Sequence, residues 1–140
     1  MKHAMAMLVY GAVFLALAAC TQTSLLKPAS GDTASATVES PPVHFGTARF
    51  SVILDGKTYT GTAGELRQDT TGEQALRFGW EPAHRHPNIK QEMKFLIGST
   101  VLVAPDGARL ECDHLRHGDD WRLRCKRTGG GEILLQRPKL

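Results

Sequence analysis

The stretch Cys112–Cys125, reading CDHLRHGDDWRLRC, constrains the fold more than any other part of the 140-residue chain. Gly118-Asp119 suits the centre of a two-residue turn, with glycine first as a type II′ turn prefers. Paired residues then face one another as His117 with Asp120, Arg116 with Trp121 and Cys112 with Cys125. Counted outward from the turn, the cysteines fall on a non-hydrogen-bonded pair. Such pairs hold their Cα atoms about 4.5 Å apart, just inside the range that a disulfide tolerates. The same register places Leu110, Cys112, His114, Trp121, Leu123 and Cys125 on one face, with Arg116 and Arg127 at its ends. On the other face Asp113 opposes Arg124 and Glu111 opposes Lys126, and Leu115 is the one apolar exception. A slip of one residue would destroy both patterns, so the register is strongly specified. A Cys112–Cys125 bridge closes a loop of about 14 residues, worth on the order of 3 kcal/mol. A redox role would require a strained or exposed bond, or a C-x-x-C spacing at a helix start, and neither is visible.

Period-two patterning extends to the rest of the C-terminal part. Phe50, Val52 and Leu54 alternate with Arg49, Ser51 and Ile53. Asp55-Gly56 then signals a hairpin that sets Val52 opposite Tyr59 on the return strand Lys57–Gly61. Further on, Ser99–Ala104, Ala108–Arg116, Trp121–Arg127 and Glu132–Gln136 are β-rich runs. Turn residues separate them, giving a four-strand antiparallel meander. Between the two blocks, Gly64–Gln74 is polar and loop-like, and Leu76–Trp80 reads as a further strand. Glu81–Lys94 reads as a long insertion with one or two helical turns after Pro87. No long amphipathic helix and no internal repeat is present. The fold expected is mainly β: a small antiparallel meander or partly open barrel, stapled by the disulfide.

The N-terminus carries an address. Lys2 precedes Ala4–Ala19, a sixteen-residue apolar run that ends in Leu17-Ala18-Ala19-Cys20. The run is short for a spanning helix, which needs about 20 residues, and fits the hydrophobic region of a signal peptide. Leu-Ala-Ala-Cys in this position resembles the lipobox of bacterial lipoproteins. That resemblance implies cleavage before Cys20 and acylation of Cys20 on its sulfur and its new amino group. Thr21, where an aspartate would favour retention in the inner membrane, implies the outer membrane, with the protein facing the periplasm. Two or more acyl chains hold a protein on a bilayer stably, without any spanning segment. Asp106–Cys112, with the pattern DG-x-x-L-x-C, is similar to stretches of small proteobacterial lipoproteins. That likeness covers about a quarter of the chain and implies class and location but no activity. With Cys20 carrying lipid, Cys112 and Cys125 remain as an even pair in an oxidising compartment, which agrees with the register.

Residues 20–46 are rich in Ser, Thr, Ala, Pro and Gly and read as a flexible linker behind the lipidated cysteine. The expected organisation is a signal peptide at 1–19, this linker at 20–46, and a β-rich domain at 47–138. Removal of residues 1–19 takes Lys2 with it and lowers the formal charge from +3 to +2. So small and scattered a charge does not argue for nucleic acid as a partner.

The chemistry-bearing residues are sparse. Ser99 lacks a G-x-S-x-G frame, H-E-x-x-H is missing, and Gly129–Gly131 joins two strands rather than opening a helix. Asp119-Asp120 falls in a solvated turn. No catalytic constellation and no cofactor motif results, and the chain reads as a non-enzyme. Two functions fit. The first is a structural or interaction role at the envelope, attached to the membrane through the lipid and meeting an envelope protein or the cell wall. The second is a metal- or small-ligand-binding role built on the 81–94 insertion, with His84, His86 and His117 as nitrogen donors suited to copper or zinc. Against metal, His114 lies on the apolar face as a core histidine, His117 sits at a solvated turn, and the bonded cysteines offer no thiolate. Arg109, Arg122, Arg124 and Lys126 share one face and could meet phosphates or carboxylates, although two of them have acidic partners in the register.

Overall fold

Two tight turns set the hairpins. Asp55 and Gly56 both take positive φ, 51° and 77°, and Asp55 is the only described non-glycine residue to do so. At the second turn Gly118 alone does so, at 59°, as the type II′ reading requires. The computed structural model describes residues 21–41, 47–69, 73–80 and 95–138. Among the described residues there are nine strands: β1 (Gln22–Pro28), β2 (Ser35–Ser40), β3 (Arg49–Leu54), β4 (Lys57–Thr62), β5 (Arg67–Asp69), β6 (Phe95–Val103), β7 (Arg109–His117), β8 (Asp120–Lys126) and β9 (Glu132–Gln136). A short helix, α1 (Glu73–Arg77), follows β5.

All nine strands belong to one antiparallel sheet in the order β4-β3-β2-β1-β9-β8-β7-β6-β5, and a β4–β6 pairing closes eight of them into a barrel. β6 is long enough to be shared: β4 meets its C-terminal end at Thr60↔Val103, and β5 lies along its start at Arg67–Asp69. The expected registers hold. Val52 faces Tyr59, and Cys112 faces Cys125 across β7–β8 with Cα atoms 4.1 Å apart and the sulfurs bonded. Inward residues fill the barrel, including Leu26, Val38, Phe50, Val52, Leu102 and Leu123, together with both cysteines and Trp121.

The linker expected at 20–46 is corrected. Residues 22–28 and 35–40 are β1 and β2, and they form one wall of the barrel between β9 and β3. Leu26, Ala34, Ala36 and Val38 point inward and are buried. The alternation was masked because two of these inward positions are alanine, which a narrow barrel takes opposite larger neighbours. Threonine, counted as a linker residue, is also a good strand former. The barrel therefore includes residues 22–40, which a boundary at 47 leaves out.

The strand expected at 76–80 is also corrected. Glu73–Arg77 is helical, and the Asp69 carboxylate accepts hydrogen bonds from the N–H groups of Gln74 and Ala75 at 3.1 and 3.3 Å. That carboxylate satisfies donors which a helix start leaves free. Ala75 and Phe78 then bury themselves against Phe95 and Leu115 on the outside of the barrel. Leu115, the exception in the sequence register, is completely buried there. The expected signal peptide, Cys20 and the expected insertion at 81–94 lie outside the described residues.

A chain starting at residue 47 separates the two readings of the N-terminal stretch. Under the linker reading it would fold as before. The structure predicts that it loses its cooperative unfolding transition, because β3 and β9 each lose one of their two partner strands and Leu26, Ala36 and Val38 leave the core. Circular dichroism during urea unfolding measures this, and an unchanged midpoint would refute it.

Candidate functional site

Chemistry on this barrel has to be sought on its wall and at its ends, because the interior is occupied by side chains. The outer face of β6–β9 carries the charged ladder expected from the sequence. Lys126 reaches Glu111 at 3.3 Å, and Arg124 donates to Glu132 at 2.6 Å. Arg124 thus takes the carboxylate of β9 rather than Asp113, its partner in the register. Asp113 instead accepts a hydrogen bond from the Ser99 hydroxyl at 2.7 Å. The hydrogen bond from Arg124 holds the Glu132 carboxyl below its ordinary range. These residues, with Thr100 and Val101, line a groove of about 450 Å³. A second groove of about 360 Å³ runs over β2–β4 and is rich in hydroxyls: Thr37, Ser51, Thr60 and Thr62, with Glu39 and Arg49 at its edge. Val101, 38% exposed, lines the larger groove on β6, and Val103, 44% exposed, follows it on the same strand, where β6 meets β4.

Arg122, the third cation of the face, is committed elsewhere. Its Nη1 donates to the Phe78 carbonyl at 2.7 Å, and its guanidinium lies 4.0 Å over the Trp80 ring. Burial there lowers its pKa, and the charge of Asp120 partly offsets the effect. His117, expected to be solvated, instead packs between Phe95 at 4.9 Å and Trp80 at 5.1 Å. The reason is the covering segment 73–80, which brings Trp80 over the end of β7. This aromatic cluster was missed in the sequence, although Leu115 on an otherwise charged face was its signal. Asp120, expected in a solvated turn, opens β8, and its Oδ1 is buried without a protein hydrogen-bond partner. Among the described residues no three His, Cys, Asp or Glu side chains gather as metal ligands. His84 and His86 lie outside the described residues.

His114 is fully buried, as the face pattern implied. Past Ala63 the chain leaves the β4 ladder and crosses β6, so the Gly64 N–H needs an acceptor. His114 Nε2 supplies it at 2.9 Å. The proton therefore sits on Nδ1, which has no protein partner. The ring packs on Phe50 and Trp121. It also fills the space over Gly98, where a Cβ would come within 2.5 Å of the imidazole. These contacts make His114 part of the core.

Burial lowers the His114 pKa from 6.5 to about 4, and the nearby charge of Asp113 acts weakly in the opposite sense. The neutral ring is thus favoured in the fold. Its contribution is fully present above pH 6.5 and is lost as pH falls from 6.5 towards 4, by up to about 3 kcal/mol. The Asp106 and Glu132 carboxyls, held low by Lys57 and Arg124, act only from the lower end of that window downward. Denaturant midpoints measured from pH 7 to 4 should show this slope in the native chain and lack it in His114→Gln. Equal slopes in the two proteins would contradict the assignment.

Searches against protein families, curated proteins and solved structures find nothing that matches this chain.

Proposed function

We propose that the chain is a lipid-anchored envelope protein, attached through Cys20 to the outer membrane on its periplasmic side, that works by binding a partner rather than by catalysis. One observation carries the reading: the barrel is apolar inside and charged outside. Its interior is filled by residues such as Phe50, Leu102 and Trp121, whereas ladders such as Glu111–Lys126 and Arg124–Glu132 face outward. A membrane-spanning barrel has the reverse arrangement. No helix among the described residues is long and apolar enough to cross a membrane. Attachment by acyl chains is consistent with both facts, and a filled interior leaves the outer grooves as the surface open to a partner. An envelope protein or the cell wall fits those grooves, since each combines charges with hydroxyls.

A photo-crosslinking residue placed at Val101, in the larger groove, tests this in intact cells. One placed at Leu25, exposed on β1, serves as the comparison. A discrete adduct from position 101 that position 25 does not give supports a partner on this wall. No adduct, or the same adducts from both sites, would overturn it.

A second reading, a metal- or small-ligand-binding site using residues 81–94, is favoured by one observation. Trp80 and Phe95 flank that segment in sequence, and both rings pack on His117. The chain therefore enters and leaves the stretch carrying His84 and His86 beside a third histidine. Zinc or copper(II) added to the protein should then raise its melting temperature, and His117→Ala should abolish the rise. An unchanged melting curve removes this reading.

A further inference from the structure

The place of β1 in the barrel decides which way the domain faces. Between Cys20 and Gln22, the first residue of β1, stands Thr21 alone. Two residues span at most about 7 Å, against roughly 20 Å for the length of a strand in a wall like this. An anchor at Cys20 therefore cannot let the domain swing freely above a surface. It holds the Gln22 end of the barrel within a few ångströms of the headgroups.

The registers say what lies at that end. Gln22 pairs with Ser40, Glu39 with Arg49, and Arg49 with Thr62. On the other half of the barrel the matching end is the turn between β7 and β8, where His117 pairs with Asp120. Arg137, just past β9, reaches the Asp119 carbonyl at 3.5 Å and ties the C-terminal end of the chain to the same turn. At the opposite end, ion pairs join the turns: Lys57 to Asp106 at 2.9 Å, and Arg127 to Asp32 at 3.5 Å.

We infer that the barrel stands on the bilayer by the end that carries Gln22, Ser40 and the Gly118-Asp119 turn, and presents the turns around Asp32, Asp106 and Thr128 away from the membrane. The inference rests on the lipid anchor of the proposed function and adds its geometry. The acyl chains supply the attachment, and the short link supplies the orientation.

The test uses the full-length protein, extracted with its lipid and placed in vesicles of phosphatidylethanolamine and phosphatidylglycerol. Those vesicles contain a lipid that carries a nitroxide quencher on its headgroup. A fluorophore is attached to a single added cysteine, either Asp119→Cys or Thr128→Cys, both at exposed turns. Cys112 and Cys125 are buried and bonded, so neither competes for the label. The label at 119 should lose most of its emission and the label at 128 little. Equal losses, or a greater loss at 128, would overturn the orientation. The intact mass of the same preparation separates the two levels of the argument. An unmodified Cys20 overturns the anchor and the orientation with it, whereas an acylated Cys20 with equal losses overturns the orientation alone.

Discussion

Everything in this molecule depends on closing the sheet. The barrel is two four-strand meanders, β1–β4 and β6–β9, and the ladders within each are long whereas the two between them are short. β4 and β6 share the single pair Thr60↔Val103, and β1 and β9 share Lys27↔Gln136 and Pro28↔Leu135. Side chains reinforce what so few backbone pairs hold. At the first seam the Thr100 hydroxyl donates to the Thr62 carbonyl at 2.6 Å, and Lys57 bridges to Asp106. There Gly61 also lets β4 approach the Leu102 side chain, which a Cβ would meet at 2.8 Å. Near the second seam Arg127 reaches Asp32, and the Trp121 indole donates to Ser40 Oγ at 3.0 Å, linking β8 to β2. Exposed ion pairs add little on their own. The common apolar interior carries most of the closure, because neither meander can bury its inner face without the other.

That requirement also accounts for His114 and the two glycines beside it. The chain must leave the β4 ladder to cover β6, and a backbone donor is stranded where it does so. A buried imidazole accepts it, and Gly64 and Gly98 leave room where added Cβ atoms would meet the Ser99 carbonyl and the imidazole. The arrangement works only while the ring is neutral, which links the corner of the barrel to pH. The same closure fills the interior with side chains, so the chemistry open to a partner lies on the outer wall and at the ends. There the segment 73–80 covers one patch, over Leu115, and leaves the neighbouring charged groove open.

The legible and illegible parts of the sequence divide along physical lines. The β7–β8 hairpin could be read to the residue because a turn, a cysteine pair, an apolar face and opposite charges all demanded the same register. The β3–β4 hairpin needed only Asp55-Gly56 and its flanking alternation. β2 was lost because its inward face is partly alanine, and an alternation of Thr with Ala carries little hydropathy contrast; β1 was lost because Leu26 is its one buried residue. The helix at 73–77 was lost because its start depends on Asp69, several residues upstream, and its one buried residue is Ala75. Of the candidate surface, the charge pairs were visible in outline. The aromatic cluster at His117 was not, since Trp80 and Phe95 meet only after 73–80 folds onto the wall. Leu115, out of place in its register, marked the spot without naming what covers it.

The position of β1 joins the mechanics of the barrel to the proposed attachment. β1 pairs with β2 over five residues, Gln22 to Leu26, and with β9 over two, Lys27 and Pro28. The longer ladder therefore starts next to Thr21, and the shorter one lies at the far end of the strand. A force entering at residue 21 is carried first by the β1–β2 pairs and by Leu26 and Val38 in the core, before it reaches the β1–β9 seam. Had the order been reversed, a membrane anchor would have loaded one of the two short seams of the barrel first. A short link to a bilayer is compatible with this fold because the strand nearest the link is held best where the link begins.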